Sequence, residues 1–163
     1  MIKKIYFSIL LFVLSTKAFA LIEVDITRGN LNPLPLAVSP LSIDDKSKKN
    51  FKNILNEENI GSAISIIVEN NLRTSGLFNP LNKEAFLQAP DIANLKPRFE
   101  DWNLIKAQAL ITGKVNYIDE KLRVEFRLWD VLAGKEMMAL AFTTVPNNWR
   151  RVGHIISDKV YER

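Results

Sequence analysis

Cysteine is absent from this chain, and that one absence removes disulfide cross-links, thiol nucleophiles, thiolate metal sites and haem attachment together. The fold is therefore held by burial alone. Histidine occurs once, at His154, one helical turn before Asp158, a spacing that permits an acid–base pair. No third group completes a catalytic set, and no carboxylates fall in the spaced pairs of a metal site. The six glycines are scattered at Gly29, Gly61, Gly76, Gly113, Gly134 and Gly153, which rules out a glycine-rich phosphate cradle. None of the serines lies in a Gly-x-Ser-x-Gly turn. The apolar run Ile5 to Leu14, broken only by Ser8, has about half of the roughly 20 residues that cross a hydrocarbon core.

That short run is part of an export signal. Lys3 and Lys4 form a cationic head, and Ala18-Phe19-Ala20 presents small residues where a signal peptidase reads them, so cleavage is expected after Ala20. The residue that follows is Leu21. It is not cysteine, which argues against lipid anchoring. The full chain carries a formal charge of +4, but Lys3, Lys4 and Lys17 belong to the signal and leave 19 basic residues against 18 acidic. Such a balance gives no reason to expect a nucleic-acid partner. Residues 21–163 are the size of one domain.

Beyond the signal, Ile22, Glu23, Val24, Asp25, Ile26 and Thr27 alternate apolar and polar with period two, the pattern of an extended strand, and Arg28 and Gly29 end it. Leu34 to Val38 is a second extended piece, and the prolines at 33, 35 and 40 favour an edge or irregular strand. Ser42 to Asn53, rich in lysine, reads as a solvated loop with at most one helical turn. Ile60, Ala63, Ile64, Ile67, Val68 and Leu72 recur at steps of three and four, which predicts an amphipathic helix. Asn56 or Asn59 is placed to cap its start, and Gly76 to end it.

Leu77 to Leu81 is a short extended piece, Asp91 to Pro97 a loop, and Phe99 to Ile105 a brief helical turn in which Trp102 plugs the core. Ala109 to Tyr117 is then a strand, and Leu122, Val124, Phe126 and Leu128 line the apolar face of the next one, with Arg123, Glu125 and Arg127 opposite. In a third strand Met138, Leu140 and Phe142 alternate with Met137, Ala139 and Ala141, and the small side chains are expected to admit a helix. A last helix, capped by Asn147 or Asn148, carries Trp149, Val152, Ile156 and Val160 on one stripe. Gly153 in that stripe costs about 1 kcal/mol of helix propensity, as befits a helix lying close to the sheet. The sum is an α+β fold, two helices on one face of a small mixed sheet. Trp129 shares a face with Arg123 and Arg127, a modest signal for an exposed contact site.

Several strings together resemble the TolB family of the Tol-Pal system. Arg73-Thr74-Ser75-Gly76-Leu77-Phe78-Asn79-Pro80-Leu81 resembles that family's helix-end motif. Trp102 followed by Ala107 to Val115, then Val124 to Val131 and Gly153 to Glu162, continue the likeness in order. The resemblance implies a non-enzymatic periplasmic adaptor that needs no cofactor and has no small-molecule substrate, working in outer-membrane integrity and cell division. Its partner TolA would be bound by the stretch Ile22 to Gly29. The family's β-propeller, which engages Pal, has no counterpart here, since no period of about forty residues is visible. Pal is thus expected as a partner only if another chain supplies a propeller, and a truncated remnant is the alternative expectation. An alternating strand at a free terminus suits addition to a partner's sheet edge. The same residues also suit an edge strand of their own domain.

Overall fold

The structure, a computed structural model, describes residues 32–163. Strand β1 (Leu34–Val38) and the two-residue β2 (Ser42–Ile43) lead to helix α1 (Asp45–Leu55) and helix α2 (Ile60–Thr74). Strand β3 (Phe78–Pro80) and the short helices α3 (Pro90–Leu95) and α4 (Phe99–Leu104) follow. The chain closes with β4 (Ala109–Ile118), β5 (Lys121–Asp130), β6 (Lys135–Thr144) and helix α5 (Trp149–Tyr161). The sheet order is β3-β1-β4-β5-β6, with β2 also paired to β4. β1 is parallel to β3 and β4, while β4, β5 and β6 form an antiparallel meander. The expected α+β fold with helices on a mixed sheet is what forms.

The principal core lies between the sheet and helices α2 and α5. Leu36, Ile111, Leu122, Val124 and Phe126 of the sheet meet Ile64, Val68 and Leu72 of α2 and Val152, Ile156 and Val160 of α5. A smaller core fills part of the opposite face, where Trp102 and Ala93 of the short helices cover Ala37, Leu110 and Val131. The sheet is therefore covered on both faces over part of its area, a layer beyond the two expected helices.

Five local expectations need correction. The proline-fenced segment β1 is not at an edge: it lies between β3 and β4. Pro35 needs no donor there, and its carbonyl accepts from Gln108 N at 2.9 Å. The break at Pro40 is bridged by the buried Ser65 of α2, whose Oγ accepts from Leu41 N at 3.0 Å and lies 3.1 Å from the Ser39 carbonyl. A side chain from the facing helix thus satisfies backbone that the ladder leaves over.

The lysine-rich stretch, read as a loop, is helix α1. Asp44 caps it by accepting from Ser47 N at 2.9 Å, and Asn56 ends it in the left-handed region at φ 53°. Its buried residues are Ser47 and Phe51, and Phe51 meets Tyr117 edge-on at 5.5 Å. Fully burying one such side chain contributes about 1.5–3 kcal/mol, enough to dock a helix that is otherwise polar. The segment 91–97, also read as a loop, is largely helix α3, with Pro90 in its first turn.

The alanines of β6 do not face a helix. Ala139 and Ala141 pair with Arg127 and Glu125 on the side away from α2 and α5, while Met138 and Phe142 pack toward the core. Gly153 does mark a close approach, but to α2 and not to the sheet. A Cβ there would lie 2.9 Å from Ile67 Cγ2 and 3.0 Å from Ile67 Cβ.

Candidate functional site

The expected partner-binding residues Ile22, Glu23, Val24, Asp25, Ile26, Thr27, Arg28 and Gly29, and the cleavage residues Ala18, Ala20 and Leu21, lie outside the described residues. Leu34 opens β1 opposite Phe78 of β3, and, two residues on, Leu36 pairs with Ala109, the first residue of β4. A groove of about 330 Å³ opens beside these residues, lined by Leu34, Phe78, Leu132, Met137 and Tyr161 among others. Its apolar rim comes from the exposed Leu132 and Tyr161.

The other candidates resolve into structural roles. His154 is exposed on α5, and its Nδ1 lies 2.9 Å from Asn71 Nδ2 of α2. The same Asn71 amide donates to Ser157 Oγ at 3.1 Å. The imidazole is thus tied to an amide across the helix pair, not to Asp158, and an amide supplies no base. Among the described residues no group of three or more His, Asp or Glu side chains is placed to hold a metal ion.

Trp102 and Trp149 are buried as core residues. Trp129 is half-buried and not free: its Nε1 donates to Thr112 Oγ1 at 2.9 Å, and its ring meets Phe99 at 5.8 Å. The signal for an exposed contact site at Trp129 is thereby withdrawn. Its alternation with the arginines places it on their face, but the alternation does not show that α4 reaches over the end of β5.

The charged face of the meander is internally paired. Glu125 lies 3.0 Å from Arg123 Nε and 3.5 Å from Lys114 Nζ, and Arg127 Nε lies 3.2 Å from Glu136. Partial burial disfavours the Glu125 carboxylate, yet the cations beside it prevail and hold its pKa below the usual value. With each arginine facing a carboxylate, this surface is no anion platform. Among the described residues no helix is long and apolar enough to cross a membrane.

Among the described residues no group of His, Asp or Glu side chains is assembled to hold a metal ion, and the family is told by comparison with known proteins. The family model described as the TolB amino-terminal domain matches residues 22–137. The chain is 82% identical over 158 residues to the Tol-Pal system protein TolB of Pelagibacter ubique, covering 97% of this chain and 35% of that protein. It therefore spans about a third of the length of that relative. Among solved structures, TolB from Acinetobacter baumannii superposes with a TM-score of 0.59 at 20% identity, over 80% of this chain and 28% of that one. That likeness bears on the fold, and the sequence matches bear on descent. This chain belongs to the TolB amino-terminal domain family.

Proposed function

We propose that this chain is a non-enzymatic periplasmic adaptor of the Tol-Pal envelope system that binds TolA through Ile22 to Gly29 and so supports outer-membrane integrity and constriction during division. The observation that carries the reading is the 82% identity to a Tol-Pal system protein across nearly the whole chain. The family match begins at residue 22, so it includes the proposed segment. Ile22, Val24 and Ile26 alternate with Glu23, Asp25 and Thr27, the arrangement with which an extended segment joins a partner's sheet edge, backbone bonds giving affinity and alternate side chains giving register. Cleavage after Ala20 would set this strand at the new N-terminus.

Capture by the purified C-terminal domain of TolA tests it. The chain from Leu21 to Arg163 is expected to be retained, and the same chain lacking Ile22 to Gly29 to pass through. Equal retention of both would overturn the assigned segment.

A further inference from the structure

The antiparallel meander ends on β6, and among the described residues β6 has one strand neighbour, β5. Along Lys135–Thr144 no described strand pairs with its other edge. Edges of this length are normally blunted by proline, lysine or strong bulging. Here the register shifts once, opposite Leu128 and Trp129, so the run from Met138 to Thr144 stays regular. From Met137 through Val145 no residue is charged and none is proline.

We propose that this edge is an interface between two copies of the chain, formed by β6 pairing antiparallel with itself about a two-fold axis at Leu140. The sequence Met138-Ala139-Leu140-Ala141-Phe142 reads large, small, large, small, large in both directions. With Leu140 opposite its own mate, Met138 falls opposite Phe142 and Ala139 opposite Ala141. Every large side chain then meets a large one on the helix side, and every small one a small one on the other. A closed two-fold contact demands this self-complementarity, and a one-residue slip would destroy it by moving each side chain to the wrong face.

The charges and the surface relief suit the same register. Lys135 and Glu136 lie opposite Val145 and Thr144 of the second copy, so no like charges face across the strands. Beside the edge, Phe142, Thr144, Val152 and Ile155 line part of a groove of about 370 Å³ between β6 and α5. The second copy's Met138, standing opposite Phe142, comes to the mouth of that groove. Leu140, 37% exposed, and Val145, 54% exposed, would be covered. This inference does not rest on the TolA reading.

Because the chain has no cysteine, a single introduced thiol reports the axis directly. Leu140→Cys in the chain from Leu21 to Arg163 is expected to form an intermolecular disulfide readily under mild oxidation, whereas Ile118→Cys, at another exposed strand position, stays reduced. Sedimentation from about 1 to 200 µM should show the mass doubling, and Leu140→Lys, which sets two cations on the axis, should weaken association roughly a hundredfold with the fold intact by circular dichroism. Amide exchange along Met138 to Thr144 should slow as concentration rises. A monomer at every concentration, with Cys at 140 oxidising no faster than at 118, overturns the proposal. So does exchange protection of β6 that is independent of concentration and vanishes on deletion of Ile22 to Gly29, since the chain's own N-terminal segment would then occupy the edge.

Discussion

Trp102 Nε1 donates to Gln88 Oε1 at 3.1 Å in the smaller of the two cores. Gln88 is 5% exposed, and its amide spends every bond locally: Oε1 also accepts from Arg98 N at 3.0 Å, and Nε2 donates to the Lys96 carbonyl at 3.0 Å. One side chain therefore ties the loop after α3 to the start of α4 while satisfying the indole buried beneath them. Phe86 meets the same indole edge-on at 5.0 Å. Gln88→Leu keeps the volume but orphans an indole N–H and a backbone N–H. The expected loss is about 2–6 kcal/mol, from roughly 1–3 kcal/mol for each of the two donors left unsatisfied, read as a lower urea midpoint with unchanged slope.

Gly153 against Ile67 makes a second test. Alanine at an exposed helix position would gain about 1 kcal/mol over glycine, but here its methyl meets Ile67 at 2.9 Å. Overpacking of that kind costs about 1–3 kcal/mol, so Gly153→Ala is expected to lower the melting temperature. Adding Ile67→Ala should reverse part of that loss even though Ile67→Ala alone destabilises. A double-mutant cycle measures the coupling, and additive effects would show that α2 and α5 do not meet here.

The two long helices and the meander were legible because their patterns repeat: six aliphatics at helical steps in α2, and strict alternation through β5. Helix α1 was not, since its buried face holds only Ser47 and Phe51, too few apolar residues to register as a period. Its informative residue was Asp44, whose cap bond to Ser47 fits an Asp followed three residues later by Ser. The interior position of β1 was hidden because proline usually marks an edge, whereas here Pro35 contributes an acceptor and Ser65, distant in sequence, repairs the break at Pro40. Gly153 signalled a close approach but not against what: a glycine reports crowding on its own helix face and carries no information on the neighbour. For the proposed partner-binding residues the local pattern gave an extended strand, and only resemblance to a family gave it a partner.

The cap at Asp44 also carries a pH dependence whose sign is fixed. Hydrogen bonds from Ser47 N and Ser47 Oγ favour the charged form and hold the Asp44 pKa below its usual value. Ser47 Oγ in turn accepts from Tyr117 N at 2.8 Å, so the cap fastens α1 to β4. A carboxylate whose pKa is lower folded than unfolded contributes stability that is complete above about pH 4 and is lost as pH falls through the depressed folded value. Asp44→Asn retains an acceptor oxygen for Ser47 but cannot titrate. Urea midpoints followed from pH 6 down to pH 2 should therefore fall less steeply for Asp44→Asn than for the parent chain, with the two curves converging at the acid end. Asp44→Ala, which removes the acceptor altogether, is expected to cost about 1 kcal/mol at neutral pH. Parallel curves for the parent and Asp44→Asn would show that the acid sensitivity arises elsewhere. The natural second source is Glu69, where burial disfavours the carboxylate but Lys83 and Arg73, at 2.9 Å and 2.7 Å, lower its pKa on balance.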